Sequence, residues 1–352
     1  MRKTLLALVL LAAGGIAQAN VELNSNHPDQ YTVVKGDTLW DISGKFLRQP
    51  WKWPEIWHAN PQVKNPHLIY PGDVLSLVYI DGKPRLVLSR GDSHGTIRLS
   101  PGVRRTPMAE IIPTIPLEAI NSFLLRNRIV DSETDFKSAP YVIAGEDGRV
   151  VAGSPDRVYV RGDIEEEKSY DFFRQGKIYT DPTTGAFLGI NADYIASGKV
   201  VERSDQELDD DRRGSQGVGS VDMVSTTQEI RNGDRLFATE ERQIRPFFML
   251  SAPGEDVSGV ILDVPRGVTQ IGKYDVVTIN LGYEDGIKEG HTLSIYKTGE
   301  TVKDRETNQL LKLPDELAGR LVVFRPYERL SYALVMEANR PMRVMDKVKS
   351  PD

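Results

Sequence analysis

The stretch YTVVKGDTLW at residues 31–40, answered by IYPGDVL at residues 69–75, decides how the N-terminal part of this 352-residue chain folds. Residues 31–34 form a short β-branched run that ends near a Gly-Asp pair, which is typical of a strand leading into a turn. Thr38 precedes Asp41 by three positions, a spacing that resembles a capping box. A helix is therefore predicted to begin just after Thr38.

The region between the two stretches carries the signals of a second helix. Pro54 suits the first turn of a helix, and the pair Asn60-Pro61 ends it. Residues 73–78 then supply a second strand. The order strand, helix, helix, strand, with a glycine turn at both strand ends, resembles the LysM module over residues 29–79. Its two signatures, G-D-T-L and Y-P-G-D-x-L, are specific in combination.

The resemblance to LysM modules implies a binding site for glycans that contain N-acetylglucosamine. Such glycans lie in a shallow groove between two loops, which are residues 36–40 and 65–72 here. The expected glycan contacts are Gly36, Asp37, Thr38, Asn65, Leu68, Ile69, Tyr70 and Gly72. Glycine lets backbone amides approach a sugar, and the apolar side chains can cover pyranose faces. The alternative is that Gly36 to Thr38 form only a turn and a helix cap, with Ile69 in the core.

Two tryptophans depart from the compact LysM pattern. Residues 49–53, QPWKW, add length between the two helices. Trp51 and Trp53 could stack on saccharide rings and widen the sugar platform. In a small domain, however, tryptophan more often fills the limited core. Both interpretations are compatible with the sequence.

The first residues predict export. Arg2 and Lys3 precede an apolar run, and small residues follow it, so residues 1–19 resemble a signal peptide cleaved before Asn20. A transmembrane anchor is the alternative, but the run is short for a bilayer core. The chain contains no Cys, which excludes a disulfide framework, a thiol nucleophile and a lipid-accepting cysteine. We therefore expect a periplasmic, wall-associated protein.

The rest of the chain predicts a connector and two β-rich domains. Residues 80–140 are rich in proline and contain a helix-like stretch at residues 117–128, which favours a connector with one docked helix. Beyond it, short alternating apolar runs separated by Gly, Pro and Asn predict mainly-β domains at residues 141–240 and 241–352. The expected fold class is thus multidomain α+β.

A repeated phrase indicates that the two β-domains are duplicated. The pattern G-x-x-D-x-V-x-[VI] occurs at residues 153–160 and again at residues 272–279. Gly198 and Asp234 of the first copy correspond to Gly319 and Asp346 of the second, in the same order. An acidic insert after residue 204 accounts for most of the difference in spacing. Chance alignment of β-rich sequence is the alternative.

The sequence offers no recognisable catalytic or metal-binding motif. Five histidines are scattered without the H-E-x-x-H spacing, and the one G-x-S-x-G match, GDSHG at residues 91–95, is interpreted as a loop. We therefore expect no catalytic residue, no metal and no cofactor, and hence no enzyme. Acidic and basic residues are interleaved and the net charge is −6, which disfavours a nucleic-acid partner. A peptidoglycan hydrolase with an unrecognised site is the alternative.

Nearly the full chain resembles the TsaP family. The resemblance rests on the export signal, the LysM signatures, RLSPGV at residues 98–103, residues 112–131, APYV at residues 139–142 and residues 272–296. It implies that the LysM module engages peptidoglycan. It also implies that the C-terminal region, similar to the C-terminal domain of a flagellar T-ring protein, docks the outer-membrane secretin ring of a type IV pilus. A general wall-binding protein unrelated to pili is a further alternative.

Overall fold

The computed structural model describes residues 21–57, 69–89, 112–125, 127–146, 151–152, 156–204, 217–239, 248–265 and 270–351. The predicted signal segment, the acidic insert and two predicted glycan contacts, Asn65 and Leu68, lie outside these ranges. No helix within them is long and apolar enough to cross a membrane.

The N-terminal module is a three-stranded antiparallel sheet with two helices between its first two strands. Its elements are β1 (Gln30–Thr32), α1 (Leu39–Phe46), a 3-10 turn (Pro50–Lys52), α2 (Trp53–Ile56), β2 (Val74–Ile80) and β3 (Lys83–Ser89). The strands pair in the order β1-β2-β3. Ile42 and Phe46 of α1, Trp53 of α2 and Leu75 of β2 are at most 1% exposed, so the helices pack on one face of the sheet.

Strand β3 lies within residues 80–140, which were predicted to form the connector. Asp81 and Gly82, between β2 and β3, both have positive φ angles, of 50° and 73°. Two-residue hairpin turns of this kind match the twist of the strands they join. The Asp-Gly pair between two apolar runs is the sequence signal that identifies this hairpin.

The described part of the connector contains more regular structure than the one docked helix predicted. Residues 112–116, which bend at Thr114 and Ile115, lead into α3 (Leu117–Leu125), β4 (Arg128–Val130) and α4 (Glu133–Ser138). The Ser132 hydroxyl accepts a hydrogen bond from the Asp135 amide at 3.2 Å and caps α4. At six residues, α4 is too short for hydrophobic periodicity to reveal it.

The first β-domain closes six of its strands into a ring. Its strands are β5 (Tyr141–Gly145), β6 (Val151–Ala152), β7 (Arg157–Arg161), β8 (Ser169–Thr180), β9 (Phe187–Ser204), β10 (Val218–Thr226), β11 (Ile230–Arg231) and β12 (Arg235–Ala238). The sheet order is β10-β7-β5-β12-β8-β9-β4, and β10 also pairs with β9. Strand β4 lies outside the ring, and β6 pairs with β11.

The second β-domain is a closed barrel. Its strands are β13 (Ser258–Asp263), β14 (Val276–Ile279), β15 (Thr292–Lys297), β16 (Thr301–Lys303), β17 (Leu310–Lys312), β18 (Glu316–Pro326), β19 (Ser331–Ala338) and β20 (Lys347–Lys349). The barrel order is β13-β14-β19-β18-β15-β20, with β16 and β17 forming a separate exposed hairpin. Counting ring strands along the chain, both domains have the order one, two, five, four, three, six.

Aspartates close tight turns throughout the described chain. In each turn the carboxylate accepts the amide three residues earlier at 2.8–3.0 Å, and the Asp amide donates to that residue's carbonyl. The residues are Asp37, Asp73, Asp234, Asp275, Asp285 and Asp346. This arrangement explains the recurring Gly-Asp phrases by turn chemistry, because Asp readily bonds nearby backbone.

The module and the β-domains share one apolar core, although a connector was predicted between them. From Ser331 to Met336, alternate residues of β19 point into the barrel, as Ala333 does, or outwards, as Tyr332 does, and both sets are fully buried. The outward cluster also contains Phe46 of the module and Phe123 of α3. In addition, Arg325 of the barrel donates to the Phe123 carbonyl at 2.9 Å, near the end of α3.

Phe123→Ala should destabilise this shared core. The Phe123 ring meets Tyr332 edge-on at a centroid distance of 5.7 Å and is 3% exposed. Because truncation leaves a cavity, we expect the free energy of unfolding to fall by about 3–5 kcal/mol. Urea unfolding followed by circular dichroism measures it. The control, Val302→Ala on the exposed hairpin, should change it by less than about 0.5 kcal/mol. Equal effects of the two substitutions would contradict the shared core.

Candidate functional site

The first loop of the predicted groove ends in a capped helix. The Thr38 hydroxyl accepts the Asp41 amide at 3.1 Å and donates to the Asp41 carboxylate at 2.6 Å. Thr38 is 3% exposed, so its hydroxyl is engaged in the cap rather than open to solvent. The predicted start of α1 is thus what the structure has, and the turn-and-cap alternative describes the local role of Thr38.

Asp37 holds the turn that precedes this cap. Its carboxylate accepts the Val34 amide and the Tyr31 hydroxyl, each at 2.9 Å. Burial raises the pKa of the Tyr31 phenol, and Asp37 raises it further. Gly36 has a φ of +95°, and a Cβ there would meet no atom within 4 Å. Within the protein, glycine is therefore needed here for the left-handed backbone and not for close packing against another part of the chain.

The second loop is closed by the same kind of turn. The Tyr70 amide donates to the Asp73 carboxylate at 3.0 Å, and Gly72 has a φ of +97°. The Gly72 amide also donates to the Val33 carbonyl, and the Val33 amide to the Asp73 carbonyl, both at 2.8 Å. These backbone bonds extend the pairing of β1 with β2 and hold the two loops side by side.

The structure divides the predicted contacts into a solvent-facing set and a buried set. Gly36 and Gly72 are exposed, and Asp37 and Tyr70 are half-buried. Ile69 is 1% exposed and belongs, like Thr38, to the buried set. Asn65 and Leu68 lie outside the described residues.

Trp51 and Trp53 are core residues in this conformation. They are 3% and 1% exposed, so neither ring has a face open to a sugar, and the stacking interpretation does not fit this arrangement. Trp51 stacks on Trp40 at a centroid distance of 6.4 Å. The Arg320 guanidinium of the barrel lies 5.0 Å from the Trp51 ring. These tryptophans are buried because a small module has little apolar surface to bury, and each tryptophan side chain supplies a large amount of it.

A segment that the sequence analysis did not connect with the groove contacts both loops. We call residues 112–115 the strap. The Leu39 amide donates to the Pro113 carbonyl at 2.9 Å, and the Trp40 amide to the Thr114 carbonyl at 3.2 Å. The Ile112 amide donates to the Ile69 carbonyl at 3.1 Å. Helical periodicity and turn signals do not encode such a contact.

The groove offers hydrogen-bonding groups and an aromatic ring that suit an uncharged ligand. It combines backbone amides and carbonyls with the Asp37 carboxylate and the Tyr70 ring, which suit hydroxyl and acetamido groups. In the described part of the chain, no group of three or more His, Asp or Glu side chains could hold a metal ion. Nearby, Lys273 of the barrel lies 3.6 Å from the Asp41 carboxylate.

Comparison with known proteins supports the prediction of a LysM module in the N-terminal part of the chain. A family model described as LysM domain matches residues 31–78, which confirms the predicted module. The chain is also similar to "Uncharacterized protein YqbP" of Bacillus subtilis (strain 168), with 42% identity over 60 residues that cover 14% of this chain and 27% of that protein. Because LysM is a binding domain, the match supports binding of peptidoglycan glycans and is consistent with a noncatalytic role.

Thr38→Ala tests the cap. Loss of the hydroxyl leaves the Asp41 amide without its acceptor, so the free energy of unfolding should fall by about 1 kcal/mol. Thr38→Ser, which keeps the hydroxyl, is the matched control and should restore most of the loss in thermal unfolding. Unchanged stability of Thr38→Ala with weaker glycan retention would instead assign Thr38 to sugar contact.

Proposed function

We propose that this protein is a noncatalytic, periplasmic scaffold that binds peptidoglycan through its LysM domain and docks a type IV pilus secretin through its β-domains. The observation that carries the proposal is the LysM match over residues 31–78. In this proposal residues 1–19 are a cleaved export signal, and the predicted domain boundaries are kept except that β3, inside the predicted connector, belongs to the module.

The proposed glycan site consists of the eight predicted residues in different roles. Gly36, Asp37, Tyr70 and Gly72 face solvent at least in part and supply direct contacts. The buried side chains of Thr38 and Ile69 support the two loops from the core side. Asn65 and Leu68 keep the role that the resemblance to LysM modules implies. Tyr70 offers the largest surface for a pyranose face.

Weak binding at one groove is sufficient for such a scaffold. A secretin ring contains many subunits, so many copies of the protein can bind the wall together. Linked binding events raise overall avidity far above the affinity of one site. Wall retention therefore needs only modest contacts at each groove.

The proposal includes duplication of the β-domains. Their rings have the same strand order, and the last ring strand of each follows an Asp turn, at Asp234 and at Asp346. The Val142 amide donates to the Asp234 carbonyl at 2.9 Å, and the Ile261 amide to the Asp346 carbonyl at 3.0 Å. These matched bonds support a common origin for the two domains.

The secretin partner rests on the resemblance of residues 98–103, 112–131, 139–142 and 272–296 to the TsaP family. Within the described chain, residues 272–296 include β14 and most of β15, two strands of the barrel. We therefore place the proposed secretin contact on the β-domains and not on the module.

Tyr70→Ala should weaken wall binding. The test is cosedimentation of residues 20–352 with purified sacculi, whose dense glycan favours capture by weak sites. Removing the ring should lower retention roughly tenfold, equivalent to about 1.4 kcal/mol. Tyr79→Ala is the matched control, because Tyr79 is 62% exposed at the far end of β2. Equal retention of the two variants would count against the groove, and release of muropeptides would indicate a hydrolase.

Secretin capture tests the second attachment point. Residues 20–352 should retain the secretin from a detergent extract of envelopes that contain assembled pili. Tyr70→Ala should capture it equally well, because the proposed contact lies on the β-domains. Sacculus binding without secretin capture would favour a general wall-binding protein.

A further inference from the structure

We propose that the strap, residues 112–115, occupies the glycan groove and competes with glycan, so that the groove opens only when the strap is released. The inference rests on the proposed function, because it concerns access to the same groove. It adds a regulation of glycan access, which neither the LysM match nor the resemblance to the TsaP family implies.

The strap bonds to the backbone of both groove loops. The first amides of a helix have no partner within the helix. Here the Leu39 and Trp40 amides, at the start of α1, donate to the strap carbonyls of Pro113 and Thr114 at 2.9 and 3.2 Å. On the opposite loop the Ile69 carbonyl accepts the strap amide of Ile112 at 3.1 Å.

The strap supplies to these groups the same carbonyl acceptors and N–H donor that an acetamido sugar could supply. The acetamido group of N-acetylglucosamine carries one carbonyl acceptor and one N–H donor, the same pair that a peptide unit carries. A glycan that bonded to the Leu39 amide and the Ile69 carbonyl would need the atoms that now bind the strap. Strap and glycan therefore exclude one another at these positions.

The strap is held by the barrel side of the molecule as well as by the module. Ile112 is 5% exposed, Thr114 1% and Ile115 0%, and both isoleucines lie in the core shared with β18 and β19. The Thr114 hydroxyl donates to the Phe248 carbonyl at 3.3 Å, just before the barrel. Release of the strap must therefore disturb packing between module and barrel.

This double attachment links groove access to the β-domains. A ligand shifts a two-state equilibrium only when it binds the two states with different affinity. A partner that bound the β-domains better with the strap released would therefore increase glycan affinity, and glycan would increase affinity for that partner equally. The apparent glycan affinity is the intrinsic affinity multiplied by the fraction of molecules in which the groove is open.

Two strap variants of the full mature chain test the inference. Ile112→Ala removes an apolar anchor, and Thr114→Val in the same variant removes the hydrogen bond to Phe248. The number of backbone amides and carbonyls in the strap is unchanged. Replacement of residues 112–115 by Gly-Ser-Gly-Ser removes both apolar anchors. Ile129→Ala is the control, because Ile129 is 3% exposed in the same core but lies on β4.

The probe is tetra-N-acetylchitotetraose, titrated by calorimetry. Hydrogen exchange reports the Leu39 and Trp40 amides in parallel. We expect both strap variants to exchange these amides faster and to bind the probe at least about tenfold more tightly than the unmodified chain and Ile129→Ala.

Three other results would decide against the inference in different ways. Faster exchange with unchanged affinity would mean that strap and glycan do not compete, although glycan binding itself would stand. Faster exchange with no binding by any form would remove the proposed glycan site together with the inference. Protection of Leu39 and Trp40 that survived in both variants would mean that strap carbonyls do not hold these amides.

Discussion

The structure depends on strands that are buried on both faces. In β18 and β19 the inward residues fill the barrel, and the outward residues, among them Phe324 and Tyr332, form the floor on which α3 and the module pack. Burial of a large aromatic side chain contributes about 1.5–3 kcal/mol, so several of them make one core of elements far apart in the chain. The module and α3 therefore pack against the barrel. This packing sets the position of the groove relative to the rest of the protein.

Around this core, the same aspartate turn recurs at six positions of the described chain. The turn satisfies two backbone amides with one residue, which matters because unpaired buried amides are costly. Asp73 in the module and Asp346 in the barrel are 7% and 3% exposed, and each carboxylate accepts a hydrogen bond from a backbone amide. The same local turn thus occurs in domains of different fold, and its recurrence gives those domains similar aspartate patterns in sequence.

In the proposed groove, the surface assigned to glycan is also a structural contact surface. Its backbone groups at Leu39, Trp40 and Ile69 need partners, and the strap supplies them. A glycan site built from such groups is chemically suited to any peptide-like ligand, including the chain itself. Lys273 and Arg320 of the barrel contact the module at Asp41 of α1 and at Trp51, so the barrel touches the helix that follows the first groove loop.

The sequence by itself determined the module, because its turns and caps are local. Gly36, Gly72 and Thr38 sit where φ and capping require them, and the β-rich character of the C-terminal half follows from short alternating runs. Only the tertiary structure decided that Trp51 and Trp53 are core, that β3 and α4 exist beside the predicted elements, and that the strap crosses the groove. Those outcomes depend on which distant surfaces meet, and neither periodicity nor turn chemistry records such long-range contacts.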